Sequence, residues 1–465
     1  MNKINYGDDS PIAAFATTPG LSALSLIRCS GKGSMELAAT VFSSPRKILE
    51  APGNTIIHGW IVDFNSGRPP VDEVLISIFR APKSYTGEDS LDICCHGGLA
   101  ASKGVLTALK AAGFREALPG EFTFRAFING KIDLTRSESV MEIVSAKTDT
   151  ARLHAAERLS GRLETEINSI KKSLVELLSR IELFLDYSED EINLHEDKEV
   201  ILDIKTAEET LNRLETLAKT AQIERIYQEG ILLVIAGCPN AGKSSLFNMF
   251  LNEDRSIVTE VPGTTRDWIE AWISIEGIPI RLIDTAGLRD SVDPVEKIGV
   301  ETSKDLLKKA GLILYLIDGE LGFTKEDAAN INLCKQFGRP VLIIWNKLDI
   351  AQQHINANDE AIIGISAKTG EGVSELISAI GRAIIPNSGI ETIDVAALGT
   401  KRQEKLVKRA AFSLKEALNL ENKGESLDII ASFIRDSVNF LGEITGEVTA
   451  VDILEEIFNK FCVGK

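Results

Sequence analysis

The chain lacks any apolar run long enough to cross a bilayer. Its longest apolar stretches, at 231–236 and 341–345, hold six and five residues, whereas a transmembrane helix needs about 20. The N-terminal residues also lack the basic-then-apolar order of a signal peptide. We therefore expect a cytoplasmic protein without membrane attachment, in which the short apolar runs form buried strands.

Cysteine is scarce, and positive charge is outnumbered by negative charge. The six cysteines among 465 residues form no C-x-x-C pair, so reduced and mostly buried thiols are expected. Lys and Arg total 51 against 68 Asp and Glu, which gives a net charge of −17. This balance argues against a broadly basic nucleic-acid surface, but it is compatible with a local basic groove.

Proline is absent from residues 120–238 and 387–465, although the chain holds 14 prolines. Because proline is excluded from helix interiors, and because both segments show helical periodicity, they are predicted to be helical. Residues 1–119 alternate short β-like runs with turns and contain one predicted helix, at 98–112. Residues 226–386 alternate apolar strands with amphipathic helices, which is typical of a parallel sheet covered by helices.

These patterns predict a multidomain chain with α+β, α/β and all-α parts. The predicted N-terminal α+β domain spans residues 1–125. The predicted helical domain has two segments, 126–225 and 387–465, and the α/β domain at 226–386 is inserted between them. Such an insertion requires the two ends of the inserted domain to lie close together, which is common.

A phosphate-binding motif opens the α/β domain. Residues 237–244, GCPNAGKS, match the P-loop pattern G-x-x-x-x-G-K-[ST] between an apolar strand and a predicted helix. Backbone N–H groups of the loop and of the helix N-terminus would cradle the phosphates. Lys243 would reach the β- and γ-phosphates, and the Ser244 hydroxyl would bind Mg²⁺.

Two motifs that meet magnesium and the γ-phosphate follow in the order that a GTPase requires. GTTRD at 263–267 supplies Thr265 as a second hydroxyl for Mg²⁺. RLIDTAG at 281–287 supplies Asp284, which would hold Mg²⁺ through water, and Gly287, whose N–H would meet the γ-phosphate. The resulting prediction is an inserted GTPase domain of the Ras-like type.

Two further motifs predict a guanine pocket. LIIWNKLD ends in Asp349, whose carboxylate can accept both the ring N–H and the amino group of guanine, a pairing that adenine does not offer. ISAK at 365–368 would complete the pocket with backbone donors. The predicted nucleotide-binding residues are Asn240, Ala241, Gly242, Lys243, Ser244, Ser245, Thr259, Val261, Gly263, Thr264, Thr265, Asp284, Thr285, Ala286, Gly287, Asn346, Lys347, Asp349, Ser366, Ala367 and Lys368.

The residue at position 288 does not show how the water that attacks GTP would be activated. In Ras-like enzymes a Gln at this point orients the attacking water, whereas this chain has Leu288, which has no hydrogen-bonding group. The spacing allows two interpretations. Either the chain hydrolyses GTP slowly and needs an activator protein, or another residue and another cation activate the water in place of the Gln.

Eight stretches of the sequence, including several near its two ends, indicate which family of GTPases the chain resembles. The informative stretches are LSLIRCSGKG (24–33), SYTGEDSLDICCHGG (84–98), PGEFTFRAFINGKIDLTRSES (119–139), GCPNAGKSSLFN (237–248), VTEVPGTTRD (258–267), DTAGLRD (284–290), LGEITGEV (441–448) and FCVGK (461–465). Through them, essentially the whole chain resembles the bacterial and organellar family of tRNA-modification GTPases known as MnmE or TrmE. The nucleotide motifs alone would fit many translational GTPases, so the terminal stretches carry the specificity.

The resemblance implies a potassium ion in place of an arginine finger, since a well-placed monovalent cation can stabilise the charge of a phosphoryl transition state. The implied potassium ligands are the Asn240 side chain, the backbone carbonyls of Thr259 and Val261, and Thr264. Glu296, in PVEKIGVE, would orient the attacking water through a second water. The hydrophobic Leu288 is then expected, because the family has a hydrophobic residue there.

The resemblance also implies that the N-terminal domain binds a tetrahydrofolate one-carbon donor, 5,10-methylene- or 5-formyl-tetrahydrofolate. The implied ligands are Arg28, Asp92, Lys131 and Lys465. Asp92 departs from the family pattern, because it is one methylene shorter than the expected Glu, and a water could bridge it to the pterin. Cys462, in the terminal FCVGK, becomes a candidate catalytic thiol.

The family's activity supplies the functional expectation. The resemblance implies that the chain is a potassium-dependent GTPase. With the FAD-dependent protein MnmG (GidA), it would add a carboxymethylaminomethyl or aminomethyl group to C5 of the wobble uridine of certain tRNAs. The chain would form a homodimer through its N-terminal domain and a heterotetramer with MnmG. Two alternatives have the same GTPase motifs: a ribosome-assembly GTPase, which should carry a basic RNA-binding appendage, and a partner-binding switch without modification chemistry.

Overall fold

The computed structural model describes residues 6, 8–62, 69–186, 203–252, 269–284, 305–351, 362–385 and 396–465. The chain divides into two compact units. The first consists of Met1–Met141, Glu164–Ala207 and Ser413–Lys465, and the second of Glu142–Leu163 and Glu208–Phe412. The two units do not coincide with the domains predicted from the sequence, whose boundaries stay predictions.

A mostly antiparallel sheet organises the first unit. Its strands are β1 (Ile12–Phe15), β2 (Leu24–Ser30), β3 (Thr55–Ile61), β4 (Asp72–Phe79), β5 (Ser90–His96) and β6 (Arg115–Glu116). They lie in the order β3-β4-β5-β2-β1-β6, and of the ladders described only β1–β6 is parallel. Alternate side chains, such as Ile76 and Ile78 of β4, are fully buried in the core of this unit, as expected for strands with one covered face.

Three helices accompany this sheet before residue 119. They are α1 (Ser34–Ala39), α2 (Pro45–Glu50) and α3 (Leu99–Ala112). The helix predicted at 98–112 is confirmed by α3, whereas α1 and α2 were not predicted. Each of these two holds only six residues, which is less than two turns and too short for a helical period to show in the sequence.

The proline-free segments are helical, as predicted. The first contains α4 (Glu121–Ile128), α5 (Leu134–Ser145), α6 (Asp149–Leu159), α7 (Arg162–Asp186) and α8 (Ile204–Glu229). The second contains α12 (Lys401–Asn422), α13 (Leu427–Thr445) and α14 (Val451–Phe458). Within the described ranges, no helix is both long enough and apolar enough to cross a membrane.

The second unit contains a doubly wound sheet. Its strands are β7 (Ile231–Gly237), β8 (Ile269–Ile275), β9 (Ile278–Asp284), β10 (Leu312–Asp318), β11 (Val341–Asn346) and β12 (Ile362–Gly364). They lie in the order β12-β11-β10-β7-β9-β8, and all described neighbours are parallel except β8 and β9. The helices are α9 (Lys243–Asn252), α10 (Lys325–Gln336) and α11 (Val373–Ile384). The α/β prediction is confirmed.

Successive residues of β10 point to opposite faces of the sheet, and each face is covered by a separate hydrophobic core. Leu314 and Leu316 of β10 join one core, which also holds residues of α9 and α11. Tyr315 and Ile317 join the other, with residues of α10. Because the carboxyl ends of parallel strands gather at one edge, the loops after β7, β10 and β11 meet there, which is where such sheets bind ligands.

Candidate functional site

The loop between β7 and α9 has the backbone of a phosphate-binding loop. Asn240 has φ 62° and Gly242 has φ 94°, both in the left-handed region, which glycine and asparagine tolerate best. A Cβ atom at Gly242 would lie 2.2 Å from Asn346 Nδ2. Glycine is therefore required where the loop meets the end of β11.

Lys243 holds its ammonium group against the same loop. Its Nζ donates hydrogen bonds to the carbonyl oxygens of Gly237 at 3.1 Å and Cys238 at 2.9 Å. Lys243 is also the first residue of α9, so the positive end of the helix dipole lies beside the loop. This combination of loop N–H groups, helix N-terminus and ammonium is suited to a polyphosphate.

Asn346 joins the phosphate loop to the predicted base pocket. Its side chain is buried, and Nδ2 donates a hydrogen bond to the Ala241 carbonyl at 2.8 Å. Its Oδ1 accepts a hydrogen bond from the Ala367 backbone N–H at 3.0 Å. One amide thus fixes the distance between the loop that would hold the phosphates and the ISAK loop.

The acidic and basic residues of the NKLD motif are also fixed in place. Asp349 Oδ1 accepts a hydrogen bond from the Ser366 hydroxyl at 2.7 Å. Lys347 Nζ donates to Asp318 Oδ2, at the end of β10, at 2.6 Å. The structure therefore brings the NKLD and ISAK loops together at the carboxyl edge of the sheet.

Several predicted site residues lie outside the described ranges. They are Thr259, Val261, Gly263, Thr264, Thr265, Thr285, Ala286, Gly287, Leu288 and Glu296. Asp284 is the last residue of β9, and only its backbone is described. The complete magnesium set, the potassium set and the water-activating residue consequently stay predictions.

A second polar site lies on the sheet of the first unit. Arg28 of β2 faces Asp92 of β5 in the ladder register, and its Nε and Nη2 donate to the two carboxylate oxygens at 3.0 and 3.3 Å. The Arg28 guanidinium lies 5.6 Å from the centre of the Tyr85 ring and 6.0 Å from that of Phe122. Arg28 and Asp92 thus form an ion pair on the sheet, with two aromatic rings beside the guanidinium.

The other two predicted folate ligands approach the same sheet from different segments. Lys131 Nζ donates to the Pro82 carbonyl at 2.9 Å, in the loop that carries Tyr85. The C-terminal tail lies beside β1, because a Cβ atom at Gly464 (φ 95°) would lie only 2.1 Å from the Phe15 carbonyl. Lys465 directly follows that glycine, and the exposed Cys462 lies two residues before it.

The sequence did not single out Tyr85 and Phe122. Both lie in stretches that carry the family resemblance, SYTG and EFTF. Aromatic residues in these stretches were the only sequence feature that could have pointed to them. Tyr85 OH forms a hydrogen bond with Thr123 Oγ1 at 2.9 Å. Burial raises the pKa of Tyr85, so its hydroxyl stays protonated near neutral pH.

The parallel sheet, the phosphate loop and the two base loops define a P-loop protein of the GTPase class. The "MnmE helical domain" family model matches residues 134–462, and the "GTP-binding protein TrmE N-terminus" model matches residues 11–131. The chain therefore belongs to the MnmE family of tRNA modification GTPases, and the predictions of this family and of a GTP-hydrolysing enzyme are confirmed.

Relatives named "tRNA modification GTPase MnmE" match over their full length. The protein from Treponema denticola is 41% identical and that from Borrelia recurrentis 40% identical, each over 100% of both chains. The protein from Carboxydothermus hydrogenoformans is 38% identical over 98% of this chain and 100% of its own. The similarity thus extends across both compact units.

Proposed function

We propose that this chain is a cytoplasmic, potassium-dependent GTPase that acts with the FAD-dependent protein MnmG to add a carboxymethylaminomethyl or aminomethyl group to C5 of the wobble uridine of certain tRNAs. The observation that carries the proposal is the Asn346 bridge between phosphate loop and base loop, in a chain similar over its full length to tRNA modification GTPases. GTP hydrolysis would gate the modification chemistry.

The one-carbon unit would come from a tetrahydrofolate derivative bound on the first unit's sheet. The residues there fit such a ligand by their chemistry. Asp92 could accept the N–H pair of a pterin, Arg28 and Lys131 suit a glutamate tail, and Tyr85 offers a ring for stacking. Asp92 already accepts two hydrogen bonds from Arg28, which favours a water-bridged contact with the pterin over a direct one.

The homodimer would form through the first unit. β3 is an edge strand, and its Ile56 and Trp60 are 69% and 42% exposed. Leu75 of β4, which lies opposite His58 of β3 in the ladder, is 48% exposed. Large apolar side chains grouped on one sheet face support a protein contact. Two MnmG subunits would complete a heterotetramer.

The phosphate loop would bind GTP with Mg²⁺ and K⁺. Ser244, in the first turn of α9, would supply a hydroxyl to Mg²⁺. Asn240 lies within the loop, and its amide oxygen would be one of the K⁺ ligands. A bound cation would stabilise negative charge on the transferred phosphoryl group, so this chain would not require an arginine from an activator.

Single-turnover GTP hydrolysis in potassium and sodium buffers tests the catalytic half of this proposal. Potassium should raise the rate well above that in sodium. Asn240→Ala should abolish the difference and still bind nucleotide, and Asn240→Gly is its matched control, because glycine removes the amide without straining a left-handed residue. Glu296→Ala should slow turnover by about 10²- to 10⁴-fold. Equal wild-type rates in the two salts would contradict the proposal.

A ribosome-assembly GTPase remains the alternative function. It would use the same nucleotide site and would bind RNA without modifying it. The net charge of −17 argues against the basic appendage that such a protein should carry. The two functions predict different nucleosides in the tRNA of cells that lack the chain.

A further inference from the structure

A buried polar cluster lies directly behind the phosphate loop. Cys238, the second residue of the loop, donates from Sγ to Asp327 Oδ1 at 3.2 Å. Tyr315 of β10 donates to the same carboxylate oxygen at 2.9 Å. Tyr315 and Asp327 are 1% and 3% exposed. Three elements, the loop, β10 and α10, therefore converge on one carboxylate oxygen.

The N-terminus of α10 fixes Asp327 independently of the loop. Its Oδ2 accepts hydrogen bonds from the Thr324 backbone N–H at 3.0 Å and the Thr324 hydroxyl at 2.6 Å. The Thr324 hydroxyl in turn accepts from the Asp327 backbone N–H at 3.2 Å, which completes a capping box. The carboxylate is thus a rigid point to which the loop can be anchored.

The protonation states favour this anchor. Burial raises the pKa of Asp327, but the hydrogen bonds from Thr324, Cys238 and Tyr315 outweigh it and hold the pKa below its usual value. Burial, with the neighbouring Asp327 charge, raises the pKa of the Cys238 thiol. The pair is therefore a neutral thiol that donates to an ionised carboxylate, and hydrogen bonds to charged acceptors are stronger than neutral ones.

Cys238 also contacts the residue that would bind the phosphates. Its backbone carbonyl accepts a hydrogen bond from Lys243 Nζ at 2.9 Å. The side chain of Cys238 is anchored to α10 while its main chain faces Lys243. A shift of Cys238 would displace both the loop N–H groups and the ammonium group.

We propose that Asp327 and Tyr315 are positioning residues for the phosphate loop, which act through the Cys238 thiol to hold the loop in the shape that binds the diphosphate of a guanine nucleotide. The proposal rests on nucleotide binding at this loop, as assigned above. It predicts that loss of the thiol weakens GDP binding in the folded protein.

Binding of Mg²⁺·GDP to the full-length chain, measured by calorimetry beside the thermal midpoint of unfolding, tests the proposal. Cys238→Ala should raise the Kd about tenfold, which corresponds to about 1.4 kcal/mol. Cys238→Ser should restore the Kd to within about threefold of wild type, because a hydroxyl also donates to a carboxylate. A purely structural cysteine would not show this rescue by serine.

Cys334→Ala is the matched control. Cys334 is a buried cysteine on the same helix, α10, and belongs to the apolar core. Its replacement should lower the thermal midpoint and leave the Kd for GDP unchanged. If Cys334→Ala weakened GDP binding as much as Cys238→Ala, the effect would be one of stability and the proposal would be wrong.

A double-mutant cycle tests whether Tyr315 acts through the thiol. Tyr315→Phe removes one donor to Asp327 and should raise the Kd in the same direction as Cys238→Ala. The double variant should bind GDP no more weakly than Cys238→Ala alone, since the path to the loop is already cut. Additive losses, or a wild-type Kd in Cys238→Ala, would overturn the proposal. Failure of the wild-type chain to bind GDP would instead refute the nucleotide site.

Discussion

We predict that guanine selection depends on Asp349. Its Oδ1 accepts a hydrogen bond from the Ser366 hydroxyl at 2.7 Å, which would orient the carboxylate toward a bound base. Asp349→Asn replaces one acceptor by a donor that faces the N–H groups of guanine. The preference for GTP over ATP should fall by about 10- to 100-fold, the scale of a hydrogen bond to a charged group.

Filter-binding titrations with GTP and ATP measure this preference. Lys243→Ala is the control, because Lys243 would contact only the phosphates, and its loss should weaken both nucleotides alike. Unchanged selectivity in Asp349→Asn would remove Asp349 from the base pocket.

At the scale of elements, the paired strands β2 and β5 carry the folate prediction. Arg28→Ala and Lys131→Ala should each weaken the binding of 5-formyltetrahydrofolate and leave GTP affinity intact, because the two predicted sites lie in separate compact units. Arg28→Lys is the matched variant, since it keeps the charge and loses the two-point contact with Asp92. Calorimetry that gave equal folate affinity in wild type and both alanine variants would refute the assignment.

Three residues of the second unit, each from a different helix, form a buried ionic cluster around one arginine. Arg158 of α6 donates to Glu142 of α5 at 2.7 Å and to Glu224 of α8 at 2.6 Å. Arg158→Ala would leave two buried carboxylates without this cation, so the free energy of unfolding should fall by about 3–5 kcal/mol.

Urea denaturation measures this loss. Arg152→Ala is the control, because Arg152 lies on the same helix and pairs with Asp149 at the surface. Its loss should change the free energy of unfolding by less than about 1 kcal/mol. A similar small effect for Arg158→Ala would show that the buried pairs do not contribute as argued.

Local patterns in the sequence predicted the helical segments and several strands, but few contacts between them. β7 and β11 were visible as apolar runs, and α7 was visible by its period. The contact of Arg28 with Asp92 depends on strand register, which the pairing of distant segments determines.

At the scale of the whole molecule, the geometry of the nucleotide site was easier to predict from the sequence than that of the predicted folate site. The nucleotide motifs lie at the carboxyl ends of the parallel strands β7, β11 and β12, so the topology alone brings Lys243, Asn346 and Ser366 to one edge of the sheet. The predicted folate ligands come from β2, β5, the segment before α5 and the C-terminus. Only the folded chain brings the tail at Gly464 beside Phe15. The family resemblance supplied that set, because no local pattern could.

The most direct test of the account is mass spectrometry of nucleosides from the tRNA of a strain that lacks this chain. The strain should be compared after complementation with the wild-type chain, with Lys243→Ala and with Cys462→Ser. We predict that the strain loses the C5-substituted wobble uridine, that the wild-type chain restores it, and that Lys243→Ala does not. Loss in Cys462→Ser as well would support a role for the terminal thiol. An unchanged nucleoside profile in the strain without the chain would contradict the account.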